Sequence, residues 1–165
     1  MDVLKGSYVI LLELAGEQEI AIGKLGSVVF ASGYYAYVGS AMGGLGPRLR
    51  RHIRSDKRLH WHIDYLLQRA SIAEIIIGES AASSECAIAQ KLSRALNHVP
   101  EFGCSDCKCK SHLYFCSKRD TLLLQVIQAF NEAQIIPQPW TDSPKAFIEQ
   151  GVVLESVSRT SSHSL

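Results

Sequence analysis

Residues 33–52 read Gly33-Tyr-Tyr-Ala-Tyr-Val-Gly-Ser-Ala-Met-Gly-Gly-Leu-Gly-Pro-Arg-Leu-Arg-Arg-His52, and this stretch changes character half-way. Tyr34 to Val38 is aromatic and β-branched, the composition of a strand, and Gly39-Ser40 ends it. Gly43, Gly44 and Gly46 form a short flexible segment. Pro47 then suits the first turn of a helix, where its missing N–H would have had no partner. That helix is expected to run to about Ser55. Arg48 and His52 stand at i and i+4, so both side chains share one of its faces.

Working outward, Ser7 to Leu14 is an apolar run rich in strand formers, bounded by Gly6 and Gly16, and reads as a buried strand. Residues 19–24 and 27–31 flank Gly26-Ser27 and read as a hairpin. Downstream, the pattern predicts a helix over 60–69, a central strand over 72–77 and a helix over 85–96. Ser83 and Ser84 are N-cap candidates for that last helix. Residues 100–110 are irregular and cysteine-rich, and 112–116 suits a short strand. A final helix, capped by Ser117 or Asp120, runs to about Ala133, and Pro137 and Pro139 end it. Strands come first, then helices, with a strand between helices, which argues for an α+β fold with a small mixed sheet. The expected organisation is one domain over 1–133 and a C-terminal extension over 134–165. The extension is Ser-rich from Ser156 on and expected to be mobile.

The chain has 165 residues, 47% apolar and 20% charged, which places it among ordinary globular proteins. A chain of this length buries roughly two-thirds of its unfolded surface, so it needs no disulfide or metal to fold. No apolar run reaches the ~18 residues of a membrane span. The N-terminus lacks the basic, apolar and small-residue regions of a secretory signal. The expectation is a cytoplasmic protein whose five cysteines are reduced thiols. Net charge is only +1, yet six basic residues against one acid fall between Arg48 and Arg58. Such a cluster is either a solvated helix face or a nucleic-acid contact.

One set of residues is hard to explain by folding alone: Tyr8, Tyr37 followed by Gly39, Arg48, His52 and Glu85. Two phenols, a guanidinium, an imidazole and a carboxylate could converge at one end of a sheet. Gly6-Ser7-Tyr8, Tyr37-Val38-Gly39, Arg48-x3-His52 and a lone Glu at a helix start resemble, in that order, the GIY-YIG nuclease superfamily, and most closely its compact Uri-type members. The stretches from Gly33 to Leu45, His60-Trp-His-Ile-Asp-Tyr-Leu-Leu67 and Ser105-Asp-Cys-Lys-Cys-Lys-Ser-His112 carry the same resemblance, which spans roughly residues 5–118. Ser7 and Val38 replace the Ile of each triplet, at strand positions without a catalytic role. The gap from Tyr8 to Tyr37 is longer than in the homing-endonuclease branch, and the extra hairpin accounts for it. The Asn found late in some members has no match here, with His112 the polar residue nearest to taking its place.

The resemblance implies a three-stranded central sheet, mixed or antiparallel, with the added hairpin and flanking helices. It implies metal-dependent hydrolysis of DNA, with Glu85 holding Mg²⁺ or Mn²⁺, Arg48 holding a phosphate, Tyr8 or Tyr37 activating water and His52 assisting. One carboxylate suffices, because Mg²⁺ keeps several waters. A guanidinium forks onto a phosphate as Lys cannot. Arg50, Arg51, Arg54, Arg58, His62 and His112 are the nucleic-acid contact candidates. Compact domains of this kind often rely on a targeting protein partner.

Each residue also has a plain alternative. Strand tyrosines commonly pack, a helix Arg commonly sits in solvent, and Glu at a helix start is favoured by the helix dipole. His60 and His62 are two apart, unlike the i, i+3 or i, i+4 spacing of a helical metal pair, and Asp64 could hold a His or the basic helix. Cys104, Cys107, Cys109 and His112 offer zinc-type ligands, though without a second CxxC pair, and Cys116 could join them. Two further readings therefore stand beside the nuclease: a non-catalytic nucleic-acid-binding module on the same fold, and a zinc-stabilised interaction protein.

Overall fold

A computed structural model describes residues 3–142. The expectation of a mobile Ser-rich end falls outside those residues.

The fold is α+β and built on an antiparallel sheet. Its centre is β1 (Gly6–Leu14), an apolar run buried at every position but one. β1 is flanked by β4 (Gly33–Ala41) and β5 (Ser71–Glu79), both antiparallel to it. A strand covered on both faces can be apolar throughout, and this explains why neither β1 nor β5 alternates. Alternate residues of β1 enter two cores. Tyr8, Ile10, Leu12 and Leu14 face one side, with Leu45, Leu49 and Ile63 of the helices. Val9 and Leu11 face the other, with Ile88, Val126 and Phe130.

Among the described residues the sheet has six strands rather than the three expected, in the order β6-β7-β4-β1-β5-β8. The additions are short edge pieces: β6 (Asn97–His98), β7 (Leu113–Cys116) and β8 (Gln138–Pro139). The expected hairpin is present as a separate two-stranded sheet, β2 (Gln18–Ala21) with β3 (Ser27–Phe30), joined by a short 3-10 turn at Gly23–Leu25.

Among the described residues, four helices flank the sheet: α1 (Leu45–Ile53), α2 (His62–Leu67), α3 (Glu85–Ser93) and α4 (Arg119–Glu132). α2 and α3 are shorter than the sequence pattern suggested. α2 starts at His62 because the Asp64 carboxylate accepts the backbone N–H groups of His60 and Trp61, both at 2.9 Å, and so fixes the turn before it.

β8 lies past the domain boundary expected at residue 133. It pairs with Ile76 and Ile77, Trp140 donates its N–H to the carbonyl of Ile75, and Ile135 is buried against Gly78. Pro139 fits there because an edge strand can spare an N–H. A Cβ at Gly78 would stand 2.3 Å from Ile135, so the absence of a side chain lets this segment close on β5. A chain ending at residue 133 should therefore be less stable than one ending at 142, by about 2–3 kcal/mol for the lost Ile135 burial alone. Paired urea unfolding curves check this, and equal midpoints would show that β8 adds nothing.

Candidate active site

The sequence brings Tyr8 and Gly39 opposite each other in the β1–β4 register. A Cβ at Gly39 would lie 2.4 Å from the Tyr8 hydroxyl and ring, so the Tyr8 ring occupies the space a side chain would fill. From there the phenol reaches α1, where its oxygen lies 2.7 Å from Nε2 of His52. Both groups are buried.

Burial, reinforced by the nearby Lys57 charge, pushes His52 down to about 3, so the imidazole is neutral at physiological pH. Among the described residues, its Nδ1 has no hydrogen-bond partner. With the proton on Nδ1, Nε2 can accept the phenolic O–H. Burial also holds both Tyr8 and Tyr37 above the ordinary phenol value. The Arg48 charge opposes this at Tyr8, while at Tyr37 the neighbouring Tyr8 and Glu85 add to it.

Tyr8, Tyr37, Arg48 and Glu85 line one cleft of about 990 Å³, and His52 stands behind Tyr8. Arg48 donates to the carbonyl of Ser40 at 3.3 Å and lies 4.8 Å from the Trp61 ring centroid. Arg51 lies 4.2 Å from that centroid, so both guanidinium groups pack on Trp61. Glu85 is the first residue of α3. Ser7 places it there: this fully buried hydroxyl accepts the N–H of Ser84 at 3.1 Å. This small strand residue thus anchors the start of α3. The Glu85 carboxylate faces the imidazole of His112, 3.9 Å from Nδ1 to Oε2, a contact too long for a hydrogen bond.

The expected nucleic-acid contacts divide. Arg50, Arg54 and Arg58 are exposed. Arg51 is not free: its guanidinium forks onto both oxygens of the fully buried Asp64 at 3.0 Å. That pair and the backbone N–H bonds outweigh burial and hold the Asp64 carboxyl below its ordinary value. Asp64 therefore holds the basic helix, one of the two roles its sequence position suggested. His62 lines the cleft and accepts the N–H of Gly103 through Nδ1 at 2.9 Å. His112 also lines it but is only 3% exposed, and its Nε2 faces cysteines rather than solvent.

The cysteine cluster differs in membership from the expected set. Cys86, Cys107, Cys109 and His112 place their ligand atoms within 4.8 Å of one another, and this Cys3His group could hold a metal ion. Cys104 lies outside it and contributes its carbonyl, which accepts the N–H of Cys107 at 3.3 Å. Cys116 is also outside. The missed ligand, Cys86, follows Glu85 on α3, far in sequence from the loop. Trp61, Lys24 and Tyr65 also line the cleft without having been singled out as site residues, and only the aromatic position between two histidines gave a signal for any of them.

The family model described as "Domain of unknown function DUF123" matches residues 7–135. The chain belongs to this family. No curated protein and no solved structure matches the chain significantly. The DUF123 match ends at Ile135, the residue that closes on Gly78, and it contains every cleft residue named above. Among the described residues, no helix of this DUF123 chain is long and apolar enough to cross a membrane.

The buried His52 makes stability depend on pH in a stated direction. Its folded value, about 3, lies below its ordinary 6.5, so as pH falls through 6.5 the unfolded chain takes up a proton that the folded chain refuses. The stability it contributes is complete above that pH and is lost progressively down to about 3, at about 1.4 kcal/mol per pH unit. Burial lowers His62 and His112 as well, so they add to the slope. Asp64 enters only below its ordinary 3.8. Unfolding free energies measured between pH 6.5 and 4 should fall less steeply in His52→Gln, by about one proton's share. An unchanged slope would mean that His52 protonates freely in the folded protein.

Proposed function

We propose that this chain is a metal-dependent endonuclease of GIY-YIG type that hydrolyses DNA phosphodiester bonds in the cleft between β1, β4, α1 and α3. One observation carries the reading. Tyr8, Tyr37, Arg48 and Glu85 line the same cleft, with His52 hydrogen-bonded behind Tyr8. These five residues come from four elements and are the ones the sequence resemblance named. The α+β fold with an antiparallel centre is compatible with a GIY-YIG-like architecture.

A phosphodiester gains negative charge at the attacked phosphorus in the transition state, so catalysis needs fixed positive charge and a route for the proton of water. Arg48 suits the first task, since Trp61 and the Ser40 carbonyl hold its guanidinium at the cleft wall. Tyr8 bears on the second by orienting the water. Its hydroxyl donates to Nε2 of the neutral His52, 2.7 Å away, which leaves the phenol oxygen turned to accept a hydrogen bond from the attacking water and line it up. Neither phenol is acidic enough to work as a resident phenolate and the imidazole is too weak a base to keep a proton, so the pair orients the water, whose proton would pass to solvent once a metal ion at Glu85 made it easier to lose.

Glu85 fits the role of metal ligand, because its half-exposed carboxylate faces the cleft with no Lys or Arg paired to it among the described residues. Mg²⁺ or Mn²⁺ held there would supply positive charge to the phosphate oxygens. The thiol cluster does not suit such a hard cation, so the two metal chemistries belong to different residues. Arg50, Arg54 and Arg58 would meet the DNA backbone and make binding salt-sensitive, with sequence or structure preference supplied by the DNA's shape or by a targeting protein.

The test is cleavage of a labelled panel of duplex, nicked, flap, branched and single-stranded DNA, with RNA equivalents, in Mg²⁺ or Mn²⁺. Wild type should cut at least one form. Glu85→Ala and Tyr8→Phe should each reduce the rate by about 10²-fold or more while leaving binding intact. Cutting that persists in Glu85→Ala would reject the assigned ligand. Salt-dependent binding by wild type with no cutting of any form would favour the non-catalytic binding module.

A further inference from the structure

The nuclease reading leaves the cysteine cluster unused. Cys86 sits in the first turn of α3, while Cys107, Cys109 and His112 come from the irregular loop before β7. We infer that these four residues bind one zinc ion, which clips the start of α3 to that loop.

The ligand set is three thiols and an imidazole, the donor types of a closed structural zinc site. The spacing agrees as well. In a zinc tetrahedron with ordinary bond lengths, sulfur and nitrogen ligands stand about 3.6 Å apart. Nε2 of His112 lies 3.5 Å from Sγ of Cys107 and 4.0 Å from Sγ of Cys86. The widest separation in the cluster, 4.8 Å at most, is about 1 Å more than the ~3.8 Å edge between two sulfurs, so small side-chain rotations complete the tetrahedron.

His112 supplies the second, independent observation. It is 3% exposed and its Nδ1 is buried with no hydrogen-bond partner among the described residues, an arrangement that costs free energy if the ring serves only to pack. With zinc on Nε2, the proton is fixed on Nδ1, facing the Glu85 carboxylate 3.9 Å away, in the outer-shell carboxylate arrangement common to zinc-bound histidines. Binding releases the three thiol protons and leaves the site one unit negative, with Lys108 and Lys110 adjacent in sequence to its ligands.

A metal ion would add a cross-link to this loop. Residues 100–110 contain no helix or strand, and Glu101 and Gly103 adopt positive φ. Cys86 is the cluster member that comes from elsewhere in the chain, so the ion would cross-link the loop to the helix that carries Glu85. The inference does not depend on the nuclease reading.

Metal analysis of the full chain, purified without chelator, tests it. Wild type should carry about one zinc per chain, Cys86→Ser and Cys109→Ser should lose most of it, and Cys104→Ser and Cys116→Ser should keep it. Cobalt exchanged into wild type should give intense tetrahedral d–d bands and thiolate-to-metal charge transfer, which needs no variant to fold. Hydrogen exchange should quicken in residues 103–112 and in the first turn of α3 when the metal is removed. Zinc-free wild type that gives no tetrahedral cobalt spectrum would overturn the inference. So would equal zinc loss from Cys104→Ser and Cys86→Ser, or exchange that ignores the metal. Each of these readings is independent of DNA cleavage, so a failed nuclease and a missing zinc give different results.

Discussion

The contact between the Tyr8 hydroxyl and His52 depends on a missing side chain. Gly39 leaves the hole in which the Tyr8 ring lies, the antiparallel register of β1 and β4 puts the two residues opposite each other, and α1 lowers His52 onto the phenol. All three must hold together, because any Cβ at position 39 would meet the ring at 2.4 Å. The result is a polar pair buried between two core-forming surfaces, where desolvation keeps the phenol protonated and the imidazole neutral. That state of charge follows from packing rather than from any single charged neighbour.

A second buried polar link aligns the same helix. Arg51 forks onto Asp64, which also holds the backbone before α2, so α1 and α2 are tied through one carboxylate. Losing Arg51 would strand the buried Asp64 charge, at a cost of up to roughly 3–5 kcal/mol. Trp61 sits against the same groups and carries the guanidinium of Arg48 toward the cleft. On the opposite wall, Glu85 and Cys86 are consecutive residues facing different chemistry, an oxygen donor toward the cleft and a sulfur toward the cysteine loop, with His112 between them. One wall thus carries an oxygen donor and a thiol cluster side by side, linked by one imidazole.

The long strands and the helices were legible because burial writes itself into composition: the apolar runs of β1 and β5 and the Pro-led start of α1 need only local pattern. The gathering of Tyr8, Tyr37, Arg48, His52 and Glu85 was legible as an ordered set. What stayed hidden depended on partners distant in the chain. β8 contains Pro139, which read as a terminator, and only the position at a sheet edge makes that proline harmless. Arg51 read as one more member of a basic run, yet at three residues from Arg48 it turns inward while Arg50 and Arg54 face solvent. Cys86 read as part of an apolar helix, since nothing local marks a thiol whose fellow ligands lie in another loop.

The central claim is that the cleft holds a scissile phosphate between Arg48 and Glu85, apart from the thiol cluster. It is tested most directly by a crystal structure of the Tyr8→Phe chain with a short DNA oligonucleotide and Mn²⁺, with diffraction recorded at the manganese and zinc absorption edges. The account predicts a manganese peak at Glu85 shared with a backbone phosphate that also meets Arg48, and a separate zinc peak among Cys86, Cys107, Cys109 and His112. DNA bound away from Tyr8, Arg48 and Glu85, or manganese seated on the thiols with none at Glu85, would contradict it.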